Sequence, residues 1–93
     1  MVRIIYKREA TKALEKIDSK TRSKIITKIG QLAETPYPKG CKKIKGYDDE
    51  NLCRIKHGNY RVIYKVQKIN IVIITLGNRD NIYQKLSRKQ QLT

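Results

Sequence analysis

Acidic side chains are scarce in this chain of 93 residues: 8 Asp and Glu stand against 22 Lys and Arg, for a formal charge of +14. Such an excess repels itself in a folded domain, so stability alone does not ask for it. It points to an anionic partner, nucleic acid first and an acidic protein second. Long apolar runs are lacking as well. The longest, Ile71-Val72-Ile73-Ile74, is strand-sized and far short of the ~20 residues that span a bilayer. No apolar stretch follows the early charge of Arg3, as a secretory signal would require. The expectation is therefore a cytoplasmic protein with no membrane partner. Cysteine is limited to Cys41 and Cys53, too few for a disulfide scaffold. A metal site would have to join them to the lone His57 and to Asp48, Asp49 or Glu50. That spacing matches no standard zinc pattern, so ordinary reduced thiols are expected, with no metal and no other cofactor. No linker, repeat or low-complexity tract divides the chain, and residues 1–93 have the length of one domain.

The periodicity that is present changes halfway. Residues 2–6 are β-branched and aromatic and predict a first strand. From Glu9, a helical stripe of Ala10, Ala13, Leu14 and Ile17 follows. Asp18-Ser19 breaks it, and either residue can cap a second helix with the stripe Ile25, Ile26, Ile29, Leu32 and Ala33. The short turn predicts an antiparallel helical pair. Pro36 and Pro38 end it, and residues 41–50, basic and then acidic, suggest an irregular loop. Residues 52–57, 60–66 and 71–76 predict three strands, the last apolar on both faces and hence the best buried. Residues 81–89 suggest a closing helix. The order β-α-α-β-β-β-α predicts an α+β fold: a small, antiparallel-rich, four-stranded sheet with the helical hairpin packed on one face.

Gly58-Asn59 is a two-residue turn signal for a tight hairpin, and the turn fixes the pairing. His57 then faces Tyr60, Lys56 faces Arg61, Ile55 faces Val62, Arg54 faces Ile63 and Cys53 faces Tyr64. Side chains alternate, so Cys53, Ile55, Val62 and Tyr64 share a core face. Arg54, Lys56 and Arg61 share the other, with Lys65 further along. Like charges set opposite each other destabilise a sheet, yet several donors on one face suit a phosphate whose geometry changes during reaction. The plainer alternative is a solvated face. Beyond the last strand, Gly77 allows a change of direction that sets Arg79 at the mouth of the sheet. Tyr83, four residues on, falls on the same side of a helix starting there. A ring beside cations suits unpaired RNA bases, while core packing is the ordinary role for such a tyrosine. His57 projects with the core-side residues and is expected to be structural or merely exposed.

The stretch Leu52-Cys53-Arg54-Ile55-Lys56-His57-Gly58-Asn59-Tyr60-Arg61-Val62-Ile63-Tyr64 resembles the central hairpin of RelE/ParE-type toxins. Leu76-Gly77-Asn78-Arg79-Asp80-Asn81-Ile82-Tyr83 resembles their closing motif. The segment from Ala10 to Ile17 and the loop Pro36-Tyr37-Pro38-Lys39-Gly40 fit too, so the resemblance spans nearly the whole chain in order. It implies the RelE-like microbial RNase fold and a toxin of a type II toxin–antitoxin module, held in a hetero-oligomer by a RelB-like antitoxin. RelE-type members cleave mRNA in the ribosomal A site without a metal, through attack of the RNA's 2′-hydroxyl on the adjacent phosphate. The matching positions are Arg54, Lys56, Arg61, Arg79 and Tyr83 for catalysis, with Arg54, Lys56, Arg61, Lys65 and Tyr83 on the RNA.

Roles follow from side-chain chemistry. Lys56 leads as the base, since cationic neighbours ease the loss of its proton. Arg54 and Arg61 hold the phosphate. Arg79 meets the leaving oxygen, by electrostatic help or through a relayed water, and Tyr83 stacks on a base. The chain departs from the pattern in two places. Arg54 stands where some members carry Lys, and arginine cannot serve as a base at ordinary pH. Some relatives use a histidine–carboxylate pair, whereas Ile82 precedes Tyr83 here. The main rival reading is a ParE-type poison of DNA gyrase that cuts no RNA. Behind it stand a non-catalytic RNA-binding domain and a decayed toxin.

Overall fold

A computed structural model describes residues 2–44 and 52–84. The strands β1 (Ile4–Tyr6), β2 (Lys42–Lys43), β3 (Leu52–His57), β4 (Tyr60–Gln67) and β5 (Asn70–Asn78) form one sheet in the order β1-β5-β4-β3-β2. β1 runs parallel to β5, and the other pairs are antiparallel. Between β1 and β2 lie α1 (Arg8–Glu15) and α2 (Ser19–Gln31). Because β1 and β2 occupy opposite edges, the helical hairpin has to cross one face of the sheet, and that crossing makes the main core.

α1 presents Ala10 and Leu14, followed by Ile17 after its end, and α2 presents Ile25, Ile29 and Leu32; all are buried. Against them pack Cys53 and Ile55 of β3, Val62 and Tyr64 of β4, and Ile71, Ile73 and Leu76 of β5. Each fully buried Leu or Ile contributes about 1.5–3 kcal/mol. Asp18 is the residue that caps α2, accepting from the Thr21 N–H at 3.0 Å. Ile26, which the sequence places on the core stripe, is 44% exposed. Ile25, Ile29 and Leu32 already complete a face at i, i+4 and i+7, and Ile26 lies about 100° round the helix from it. Tyr64 is fully buried and donates to the Pro36 carbonyl at 2.7 Å, which ties the proline loop to the sheet.

The sheet has five strands rather than four, because β2 lies in the segment read as an irregular loop. Two lysines carry no strand signature. The strand exists because their backbones pair with β3, Lys42 with Arg54 and Lys43 with Cys53. Lysines on an outer strand also discourage edge-to-edge aggregation. β5 is buried from Ile71 to Gly77, as its apolar run predicts. A register shift between Ile63 and Tyr64 sets Thr75 opposite Ile63 but Ile73 opposite Tyr64. This bulge lets Ile73 and Leu76 point to the same face despite their odd spacing.

The second face is covered too. Ile44, Leu52, Ile63, Val72 and Ile74 form a smaller cluster there, closed by the fully buried Ile82. Residues 82–84 are helical and Asn81 lies in the turn before them; residues 85–89 of the expected closing helix lie outside the described residues. Chain after β5 therefore packs on the face opposite α1 and α2.

Candidate active site

The β3–β4 hairpin has the register its turn predicts: His57 pairs with Tyr60, Lys56 with Arg61, Ile55 with Val62, Arg54 with Ile63 and Cys53 with Tyr64. Gly58 supplies the left-handed turn residue at φ 58°. On the face away from the helices, two rows run across the sheet. One is Lys56, Arg61 and Gly77; the next is Arg54, Ile63 and Thr75. Lys65 lies one row further, between Leu52 and Val72. Three cations thus meet on one surface with one glycine and one small hydroxyl beside them.

Their environments differ. Arg61 is half-buried, and its Nη1 donates to the carbonyls of Gly58 and Tyr60, each at 3.0 Å. The turn therefore fixes this guanidinium. Arg54 is half-buried as well, and its Nη1 lies 3.4 Å from the Tyr83 phenol oxygen. Its Nε is buried with no hydrogen-bond partner among the described residues, and the same holds for the Thr75 hydroxyl in its row. Unpaired buried groups are costly in a folded protein. Lys56 is exposed, and its backbone carbonyl accepts from the Lys28 ammonium of α2.

The closing motif is anchored to the hairpin turn. The Arg79 N–H donates to the Asn59 carbonyl at 2.8 Å, while the Asn78 side chain accepts from the Asp80 N–H at 2.9 Å. The Arg79 side chain stays 61% exposed and pairs with Asp80 at 3.7 Å, a surface contact worth at most about 1 kcal/mol. Asp80 lies in the turn before the helical residues rather than in a helix. Ile82 fills the core position and Tyr83 is left 38% exposed, so core packing does not account for the tyrosine. The structure brings Arg54 to Tyr83 and sets Lys56 and Arg61 beside them on one face. Arg79 is joined through its backbone, with its guanidinium turned to Asp80. His57 is half-buried on the other face, with Cys53 and Ile55. Burial pushes the Cys53 thiol above its usual range, as expected of an unreactive cysteine. Asp48, Asp49 and Glu50 lie outside the described residues.

Sequence reading singled out neither Lys28 nor Thr75. Lys28 was one of several lysines off the helical stripe, and Thr75 owes its place to the bulge, which no local pattern announces.

A mixed sheet crossed by a helical hairpin is the fold of solved RelE toxins. The profile of the family described as ParE toxin of type II toxin–antitoxin system, parDE, matches residues 4–83. The chain belongs to this family and is a RelE/ParE-type toxin of a type II toxin–antitoxin system. Among solved structures it resembles the toxin–antitoxin complex RelB–RelE from Methanococcus jannaschii, at 26% identity over 87% of this chain and 96% of that one, with a TM-score of 0.69. The archaeal RelE–RelB complex from Pyrococcus horikoshii OT3 is similar at 26% identity over 84% and 94%, with a TM-score of 0.70. The isolated E. coli RelE toxin shares the fold at 22% identity over 94% and 96%, with a TM-score of 0.69. No curated protein matches the chain. No described helix is long and apolar enough to cross a membrane.

Proposed function

We propose that this toxin is a cytoplasmic endoribonuclease that cleaves mRNA in the ribosomal A site, inhibited by a RelB-like antitoxin in a hetero-oligomer. The observation that carries the reading is the joining of Arg54, Lys56 and Arg61 on one sheet face, with Arg54 held against a partly exposed Tyr83. In the reaction the 2′-hydroxyl oxygen bonds to the adjacent phosphorus as the bond from phosphorus to the 5′-oxygen breaks. The products are a 2′,3′-cyclic phosphate and a 5′-hydroxyl end. Lys56, the most exposed of the three cations, takes the 2′-hydroxyl proton, acting in its neutral form. Arg61, pre-set by the turn carbonyls, and Arg54 stabilise the charge that builds on the phosphate. Arg79, on leaving its exposed contact with Asp80, assists the leaving oxygen, which receives its proton from water. Tyr83 orients or stacks on a base, and Lys65 extends the backbone contact. No step calls on a metal.

Primer extension on an mRNA in a purified translation system tests this. New 5′ ends in the A-site codon, absent with Arg61→Ala, are the expected result. Activity on free RNA in EDTA is assayed separately, so that the ribosome keeps its magnesium. Intact mRNA in the presence of active toxin would overturn the nuclease reading. The second reading, a gyrase poison without nuclease activity, draws on the ParE description of the matching family; gyrase-dependent DNA breaks with intact mRNA would establish it.

The antitoxin segment that covers the cationic face is expected to carry acidic residues near Arg54, Lys56 and Arg61, which neutralises the charge and closes the site together. Its affinity should therefore fall with salt, and a salt-insensitive constant would count against that contact.

A further inference from the structure

The cationic face does not stop at Lys56. Around the β3 edge from it opens a cleft of about 540 Å³, a size within the range of small-ligand sites. It lies between the end of α2, the proline loop and β3. Leu32 and Ile55, almost wholly buried, floor it, the half-buried Pro38 gives it an apolar wall, and Lys28, Lys39 and Lys56 give it cations. Gln31, Glu34 and Thr35 line it with hydrogen-bonding groups. Three features hold this shape. The Tyr64 hydroxyl pins the Pro36 carbonyl, the Cys41 N–H donates to the Pro38 carbonyl at 3.0 Å, and Lys28 bridges from α2 to the Lys56 carbonyl. Among the described residues β2 pairs with β3 at Lys42 and Lys43, and no strand pairs with β3 on that edge alongside Lys56, where the cleft begins.

We propose that this cleft is a nucleotide subsite, which takes one unpaired nucleotide of the RNA strand that crosses the cationic face; the inference rests on the RNA reading of that face. The base lies against Leu32, Pro38 and Ile55, where its N–H edge meets acceptors on Gln31 and Glu34. Its phosphate sits on Lys39 and Lys28. An ammonium has three donors, so Lys28 can hold the Lys56 carbonyl and a phosphate oxygen together. Lys56 belongs both to the cleft lining and to the catalytic row, so a strand leaving the row reaches the cleft without crossing neutral surface. The net charge of +14 and the lysines on the cleft favour the polyanion.

The test uses the full-length toxin and a 2′-O-methyl RNA of about six nucleotides, a length such grooves accommodate. This RNA lacks the attacking hydroxyl, so binding is read without cleavage. Gln31→Trp fills the cleft from an exposed position and should weaken binding about tenfold, the loss expected when one base cannot be seated. Lys39→Ala should weaken it about threefold and flatten the salt dependence. In the wild-type toxin, the RNA should shift the amide resonances of Gln31, Thr35, Gly40 and Ile55, a readout that does not depend on any variant folding. If Arg61→Ala weakens binding while both cleft variants bind as wild type and those amides stay silent, the subsite is overturned and the RNA reading stands. Cleft variants that bind RNA normally but lose affinity for a poly-glutamate peptide would also overturn it, and assign the cleft to a protein partner. No affinity for this RNA in a wild-type toxin that still cleaves mRNA in the translation assay would overturn the subsite and leave the RNA reading standing, whereas intact mRNA there as well would overturn both.

Discussion

Beneath α1 and α2 the sheet meets Ile25, Ile29 and Leu32 over Val62, Tyr64, Ile71 and Ile73, with the one buried phenol bonded to Pro36. On the opposite side Ile82 closes a smaller patch over Ile63 and Ile74, and the rest of the β3–β4 surface is given to Arg54, Lys56 and Arg61. The first face is made of groups that satisfy one another. The second holds like charges, an unpaired Arg54 Nε and an unpaired Thr75 hydroxyl among the described residues. The comparison separates what folds the chain from the face on which the proposed function rests, where the local choices oppose stability.

Substitutions on the two faces should therefore divide. Ile29→Ala should cost about 2–5 kcal/mol by leaving a cavity in the main core, read as a lower midpoint in urea. Arg61→Ala should lower cleavage by about 10²–10³-fold, the loss seen on removing one preorganised donor. Its stability should stay within about 1 kcal/mol of wild type, because the lost turn bonds are offset by relief of the Lys56 repulsion. A large loss of stability in Arg61→Ala would erase the contrast between the faces.

Tyr64→Phe should cost about 1–3 kcal/mol, since the Pro36 carbonyl loses its donor. It carries a pH signature as well. Burial holds the Tyr64 phenol above its usual range, so the folded state keeps the proton after the unfolded chain has begun to release it. This contribution is complete below the unfolded value of about 10 and fades as pH rises above it. The alkaline decline in stability should be shallower in Tyr64→Phe. On the cationic face, Tyr83→Phe should reduce cleavage only about two- to fivefold, because the ring still stacks while Arg54 loses its acceptor.

The smallest effect belongs to neither face. The Thr21 N–H lowers the Asp18 carboxyl below its usual range. Its contribution is present above the unfolded value and is lost as pH falls through the folded one. Wild type and Asp18→Ala should differ slightly at neutral pH and converge in acid below about pH 4, as thermal melts would show.

The hairpin register was legible because Gly58-Asn59 leaves room for one turn length, and alternation then assigns every side chain to a face. The helical hairpin was legible from spacing alone. β2 was not, since backbone pairing makes it and its two lysines announce nothing. Nor was the exposure of Ile26, as a run of adjacent isoleucines does not say which of them a helix will turn outward. The shared face of Arg54, Lys56 and Arg61 was readable from the sequence. The Arg54–Tyr83 contact and the Lys28 bridge depend on how distant elements pack, and no local pattern carries that information.

The parallel pairing of β1 with β5 has a consequence for how the toxin comes into being. Ile4 waits for Ile71, and Tyr6 for Ile73, so the earliest strand to be synthesised cannot dock until the last strand exists. Distant pairings of this kind form late, after local helices and hairpins. Arg79 and Tyr83 follow β5 in the chain, so the strand that lets β1 dock and the residues of the closing motif are synthesised together. A chain halted before β5 lacks the partner of β1 together with Arg79 and Tyr83.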